Sequence, residues 1–196
     1  MSKIKITIGF LVLAITIACG TPSKNDETAK ETAISIKVMD VDQLGIEIEK
    51  REEALNKDSL SANKQTAARL MEAYATYAER FPNYNNAADY LFKAGELAMG
   101  LGHTVQSLKY FDKVYNDFSH YEKRPYALFM KAFVLENQAG EFERAKEVYE
   151  EFINEFPNHD MTEDAKYSIA NIGKSPEELI REFERRDSIE NAKKAS

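Results

Sequence analysis

Tryptophan is absent from the 196 residues, and cysteine occurs once. A single cysteine excludes an intramolecular disulfide framework and a zinc site built on several thiolates. Eight glycines and five prolines are few for this length. That scarcity speaks against a turn-dense β-sandwich and for helices. A basic excess is also missing. The net charge is −7, which argues against a nucleic-acid binder held by phosphate contacts. The longest apolar run, Ile6 to Ala18, is broken only by Thr7, Gly9 and Thr16. It is shorter than the roughly 20 residues a permanent membrane span needs. What is present suits one folded domain with tails. Hydrophobic residues make up 43% and aromatics 11%, enough for a core, and 30% are charged, enough for a solvated surface.

The apolar run follows Lys3 and Lys5 and suits the apolar region of a secretory signal. It ends at Ile17-Ala18-Cys19-Gly20, small residues around the single cysteine. This arrangement resembles a bacterial lipoprotein signal. The resemblance implies that residues 1–18 are cleaved, that Cys19 carries diacylglycerol on its sulfur, and that its amine takes a further acyl chain. Two or more chains give stable anchoring. The alternative is an uncleaved helix with a membrane-buried cysteine. Loss of Lys3 and Lys5 takes the net charge from −7 to −9, so a membrane would hold the mature chain by lipid and not by a basic patch.

Residues 19–40 read as a flexible tether. Gly20 to Thr32 is polar and has no large apolar residue. Ile34, Ile36 and Val38 alternate like a strand, and with no partner strand in sight they predict an extended segment.

From about residue 40 the apolar spacing becomes helical, and the chain repeats itself. Asp89-Tyr90-Leu91-Phe92-Lys93-Ala94 matches Ala127-Leu128-Phe129-Met130-Lys131-Ala132 at an offset of 38 residues. The same offset links Gly102 to Gly140, Phe111 to Tyr149, Val114 to Phe152 and Phe118 to Phe156. A partial copy precedes these, since Tyr74, Tyr77, Phe81 and Pro82 match Tyr149, Phe152, Phe156 and Pro157. Each unit predicts two helices around a glycine turn: Ala87–Met99 then Thr104–Phe118, and Pro125–Gln138 then Glu141–Phe156. Pro125 suits a first helical turn, and Pro157 ends the helix before it. The small residues Ala94, Ala132, Ser107 and Ala145 are expected where paired helices cross, because a larger side chain would force the axes apart.

Gly140-Glu141-Phe142-Glu143-Arg144-Ala145 with Tyr149, Phe152 and Pro157 resembles the tetratricopeptide repeat family. Gly102, Ser107, Phe111 and Val114 form a weaker copy. The resemblance implies an all-α fold, a short right-handed solenoid of antiparallel helix pairs over about residues 41–190, with residues 191–196 as a tail. The usual repeat is about 34 residues, and the extra residues fall in the loops Ser119–Arg124 and Asn158–Glu163. After Ile172, Ser175 and Glu178 have capping-box spacing with Pro176 at the first helical position. The helix they start carries Leu179, Ile180 and Phe183 and is expected to cap the stack.

Catalytic and metal-binding patterns are missing. His103, His120 and His159 lie in turns or loops and read as solvated side chains. None has metal-ligand spacing, and there is no phosphate-binding glycine loop or nucleophile elbow. The chain reads as a non-enzyme without a cofactor. The tetratricopeptide resemblance implies that the first helix of each pair lines an inner groove. It places Asp89, Phe92, Glu96 and Met99, then Ala127, Met130, Val134 and Asn137, on that face, with Tyr121 and His159 at the rim. An apolar groove of this kind suits a partner helix or an extended peptide, or else self-cover by Ile34–Val41. As a lipid-tethered stack the chain is similar to outer-membrane assembly lipoproteins of the BamD type. That similarity implies a scaffold at the outer membrane facing the periplasm, with other envelope proteins as partners. A wall-linked envelope coordinator and a solute-binding or enzymatic lipoprotein are the alternatives.

Overall fold

The computed structural model describes residues 35–57 and 63–194. Within these residues the chain is helical, with no strand. The order is α1 (Val41–Lys57), α2 (Asn63–Arg80), α3 (Ala87–Gly100), α4 (Thr104–Asp117), α5 (Arg124–Val134), α6 (Phe142–Glu155), α7 (Thr162–Asn171) and α8 (Pro176–Lys194). A π-helical turn, Leu135–Ala139, extends α5. From α1 to α7 each helix packs mainly on its neighbours in sequence. The result is a helical solenoid of the kind the repeat predicts.

The local signals act where expected. Gly102 and Gly140 sit at φ +74° and +67°, in the left-handed region that a side chain would strain. Pro125 lies in the first turn of α5. Ser175 and Glu178 close their capping box. The Ser175 N–H donates to Glu178 Oε2 at 2.8 Å, and the Glu178 N–H to Ser175 Oγ at 3.2 Å. Asp40 and Gln43 make a second box ahead of α1, at 2.9 and 3.0 Å.

Two expectations are corrected. Residues 35–38 are helical and not extended. Ile36 is fully buried among Leu44, Ile48, Leu70 and Tyr77, and Arg80 Nη1 donates to its carbonyl at 3.1 Å. A strand would need Ile36 and Val38 on one buried face, and Val38 is 77% exposed. The packed region therefore starts before residue 40.

The second correction concerns the repeat length, which is not a uniform 38. The loops between units share one double turn. Tyr84 N–H donates to Phe81 O, and Ala87 N–H to Tyr84 O; Tyr121 and Arg124 do the same after Phe118, and His159 and Thr162 after Phe156. The step from Tyr84 to Tyr121 is 37 residues, and that from Tyr121 to His159 is 38. The additional residue is taken up in the π turn. The α3 turn closes with His103 N–H to Ala98 O, whereas the α5 turn closes with Glu141 N–H to Leu135 O, one residue wider. First helices therefore match at 37 and second helices at 38. Ring geometry agrees. Phe92 meets Phe111 at 5.5 Å and 64°, and Phe129 meets Tyr149 at 5.4 Å and 63°.

This register also moves the helix crossing. Ala132, Ser107 and Ala145 are fully buried as expected, but Gly95 is the residue of α3 that meets α4. The buried Ser107 hydroxyl donates to the Gly95 carbonyl at 3.1 Å. Ala94 points the other way, into the cluster of Ile36, Leu44, Ile48 and Leu70. Helix α3 thus has two buried sides. Ala94 and Ala98 face α1 and α2, while Leu91 and Phe92 join Phe111, Phe129 and Tyr149.

Candidate functional site

The residues expected to line an inner groove separate into two sets. Phe92 is 6% exposed and Val134 is fully buried. Both belong to the core, with Phe92 under the Phe111 and Tyr121 rings, so neither lines an open surface. Ala127 is likewise fully buried. The cause is the one-residue register. The counterpart of Phe92 is Phe129, also a core ring, and Val134 matches Leu97. Asp89, Met99 and Met130 are half-buried, and Glu96 and Asn137 are exposed.

Around Asp89 a charged network links α1, α3 and the loop before α5. The Tyr121 hydroxyl donates to Asp89 Oδ1 at 2.9 Å, and Lys93 Nζ lies 3.2 Å from Oδ2. Lys123 Nζ approaches Oδ1 at 3.4 Å and lies 5.4 Å from the Phe92 ring centroid. Lys93 also reaches Glu52 at 3.5 Å, and Tyr74 donates to the same carboxylate at 2.5 Å. Burial pushes the Asp89 carboxyl up, but the Tyr121 hydroxyl and the two ammonium groups outweigh it and hold the group below its ordinary value. Glu96 behaves oppositely. The residue as a whole is exposed, but partial desolvation of its carboxyl beside Leu55, Tyr74 and Leu97 pushes that group up, and Lys123 offsets only part of this. A cavity of about 340 Å³ opens beside Glu96, between Leu55, Leu70, Tyr74 and Leu97.

Further along, Gln138 Nε2 donates to the Met99 carbonyl at 2.9 Å. This bond holds the end of α3 beside the π turn, and so brings Met99 near Asn137. Phe133 is the surface ring here, 38% exposed, and its carbonyl accepts from Asn137 Nδ2 at 3.0 Å. Met130, Phe133 and Asn137 are spaced three and four apart and share one side of the helix. Sequence reasoning missed Phe133 because an offset of 38 points to Val134. His159, read from sequence as solvated, is half-buried. Its ring sits edge-on to Tyr126 at 4.7 Å and to Phe152 at 5.5 Å.

Cys19 and the signal lie outside the described residues. Among the described residues no helix is long and apolar enough to cross a membrane. Among the described residues, too, no group of three His, Cys, Asp or Glu side chains is placed to hold a metal ion.

The arrangement is a stack of helix pairs whose first helices carry mixed apolar and charged surface. The tetratricopeptide repeat family matches residues 126–159, which run from Tyr126 in α5 through the π turn and α6 to His159. The chain therefore carries a tetratricopeptide repeat, and its described fold is a tetratricopeptide-like helical solenoid. Repeats of this family generally bind peptides or proteins, and the fold is typically that of a scaffold. No curated protein matches the chain.

Proposed function

We propose that this protein is a lipid-anchored scaffold of the bacterial cell envelope that gathers other envelope proteins on the first-helix face of its solenoid, in a role close to outer-membrane protein assembly. One observation carries the binding role. Asp89, Glu96, Met99, Met130, Phe133 and Asn137 stay at or near the surface while the equivalent Phe92 and Phe129 pair with their own second helices. The face combines apolar side chains with an ordered charge network, a composition suited to a helix or peptide with both kinds of group. The anchor rests on the sequence, through Lys3, Lys5, the short apolar run and Cys19.

Two measurements test the reading. Cys19→Ser should abolish labelling by radioactive palmitate in a Gram-negative host; equal labelling of both proteins removes the anchor. Pull-down from cross-linked envelopes tests the face. Glu96→Lys with Phe133→Ala changes two surface side chains, so helicity should persist while partner recovery falls. β-barrel assembly proteins among the partners support the assembly role, and cell-wall proteins alone support the wall-linked alternative. Undiminished recovery of every partner by the double variant overturns the choice of face.

A further inference from the structure

The last helix pair, α7 and α8, stands open. Counted from the start of each first helix, Tyr167 of α7 occupies the place of Phe92 and Phe129, and Ala170 that of Gly95 and Ala132. Counted from the start of each second helix, Leu179, Phe183 and Arg186 of α8 occupy the places of Ser107, Phe111 and Val114, and of Ala145, Tyr149 and Phe152. In the earlier units the two rings meet edge to face. Here Tyr167 is 65% and Phe183 is 56% exposed. Gly173, at φ +75°, takes the same left-handed conformation as Gly102 and Gly140, but it follows the start of α7 by 11 residues, against 15 and 16 in the earlier units. Leu179 stands at the place of Ser107 and Ala145 within its own helix. Arg186 stands where Val114 and Phe152 are fully buried. Helix α7 is also four residues shorter than α3, and a guanidinium is costly to bury without a partner.

The two helices instead bound a cleft of about 380 Å³ walled by Tyr167, Ala170, Leu179, Phe183 and Ile189. Its charged lining is Lys174, Arg185 and Arg186 against one acid, Glu182. Lys174 Nζ already holds Glu182 at 2.6 Å. The lining thus has a positive excess in a chain of net charge −7. The segment from Gly20 to Thr32 has no large apolar residue to offer such a cleft.

We propose that the α7–α8 cleft is a docking site for an acidic amphipathic helix of a partner protein. Its large apolar side chains, three or four residues apart, fill the space between Tyr167 and Phe183, and its flanking carboxylates meet Lys174, Arg185 and Arg186. The occupant is a helix because the cleft replaces a helix–helix contact that the preceding units complete internally. It is acidic because the positive lining would repel a basic one. This surface is separate from the face around Asp89 and Phe133, and the proposal does not depend on the lipid anchor.

The test uses the purified full chain and a fluorescein-labelled helical peptide with leucine and phenylalanine four residues apart and glutamates on both flanks. Two companions carry lysines for the glutamates, or alanines for the leucine and phenylalanine. Anisotropy should show binding of the first peptide alone, weakening as salt rises. Phe183→Ala, and Arg185→Glu with Arg186→Glu, should each weaken it by about tenfold or more. The exposed positions make unfolding an unexpected result, checked by far-ultraviolet spectra. If a Phe183 variant did lose helicity, Tyr167→Ala on the opposite wall replaces it. Absence of binding, equal binding of the lysine peptide, or binding indifferent to both walls overturns the proposal. So does a dimer in sedimentation that Phe183→Ala dissolves, since a second copy would then be the occupant.

Discussion

Gly95 and Phe111 are packed so closely that a Cβ on the glycine would stand 2.7 Å from Cε1 of the ring. Phe111 is fully buried and has no free direction to move. Gly95→Ala should therefore overpack the α3–α4 crossing at a cost of about 1–3 kcal/mol. Gly100→Ala is the control. A Cβ there meets nothing within 4 Å, and alanine's helix preference should make it neutral or stabilising by up to about 1 kcal/mol. Urea unfolding of the two variants gives the comparison, and equal midpoints would disprove the crossing.

Phe92 and Phe133 separate core from surface. Phe92→Ala removes a buried ring held by Phe111 and Tyr121, and should cost about 3–5 kcal/mol. Phe133→Ala should cost about 1 kcal/mol or less. Thermal melts decide. A mild effect at Phe92 would return it to the open face.

Arg124, at the start of α5, ties the end of α4 to the end of α6. Its Nε donates to the Tyr115 carbonyl at 2.9 Å, its Nη1 to Glu155 at 2.5 Å, and the guanidinium lies 4.3 Å from the Tyr115 ring centroid. Arg124→Ala should destabilise by about 1–2 kcal/mol. Arg124→Lys should recover only part of this, because an ammonium cannot donate in two directions while lying flat on a ring. Full recovery by lysine would reduce the site to simple charge.

Asp89 and Glu96 should give opposite pH signatures. The folded carboxyl of Asp89 lies below its ordinary 3.8. Its stabilisation is therefore present above the unfolded pKa and is lost as pH falls through the folded value. Asp89→Asn should lower stability at neutral pH and flatten the acid limb below about pH 4. Glu96 lies above its ordinary 4.5 because partial desolvation of its carboxyl, in an otherwise exposed residue, disfavours the charge. Its penalty is absent in acid and appears as pH rises through the folded value, so Glu96→Gln should stabilise most at neutral pH. Unfolding curves from about pH 3 to pH 7 test both signs. Parallel curves for the two variants would contradict the network.

Much of the fold was legible in the sequence because its signals are local. The 3.6-residue spacing of Leu91, Ala94 and Leu97 marks a helix without reference to any other part of the chain. Gly102 and Gly140 mark turns because only glycine takes positive φ without strain. Ser175 and Glu178 mark a helix start because their hydrogen bonds close within one turn. The site was only partly legible. Asp89, Glu96, Met99, Met130 and Asn137 were found near the surface. Phe92, Ala127 and Val134 were misplaced, and Phe133 was missed. An offset of 38 in place of 37 carries Glu96 to Val134 and past Phe133.

The sequence by itself determined that this chain is a stack of helix pairs with glycine turns and a tetratricopeptide-like unit. Those features follow from residue types and short spacings. Tertiary structure alone decided where the extra residue of the second unit goes, since a π turn leaves the signals at both helix ends intact and shows only in which rings meet. It also decided that Ile36 is buried, because one isoleucine has no period and needs Arg80 and Leu44 to define its place. Finally, it decided that α7 and α8 stand apart. Tyr167 and Phe183 read as ordinary core aromatics until the packing leaves them 65% and 56% exposed.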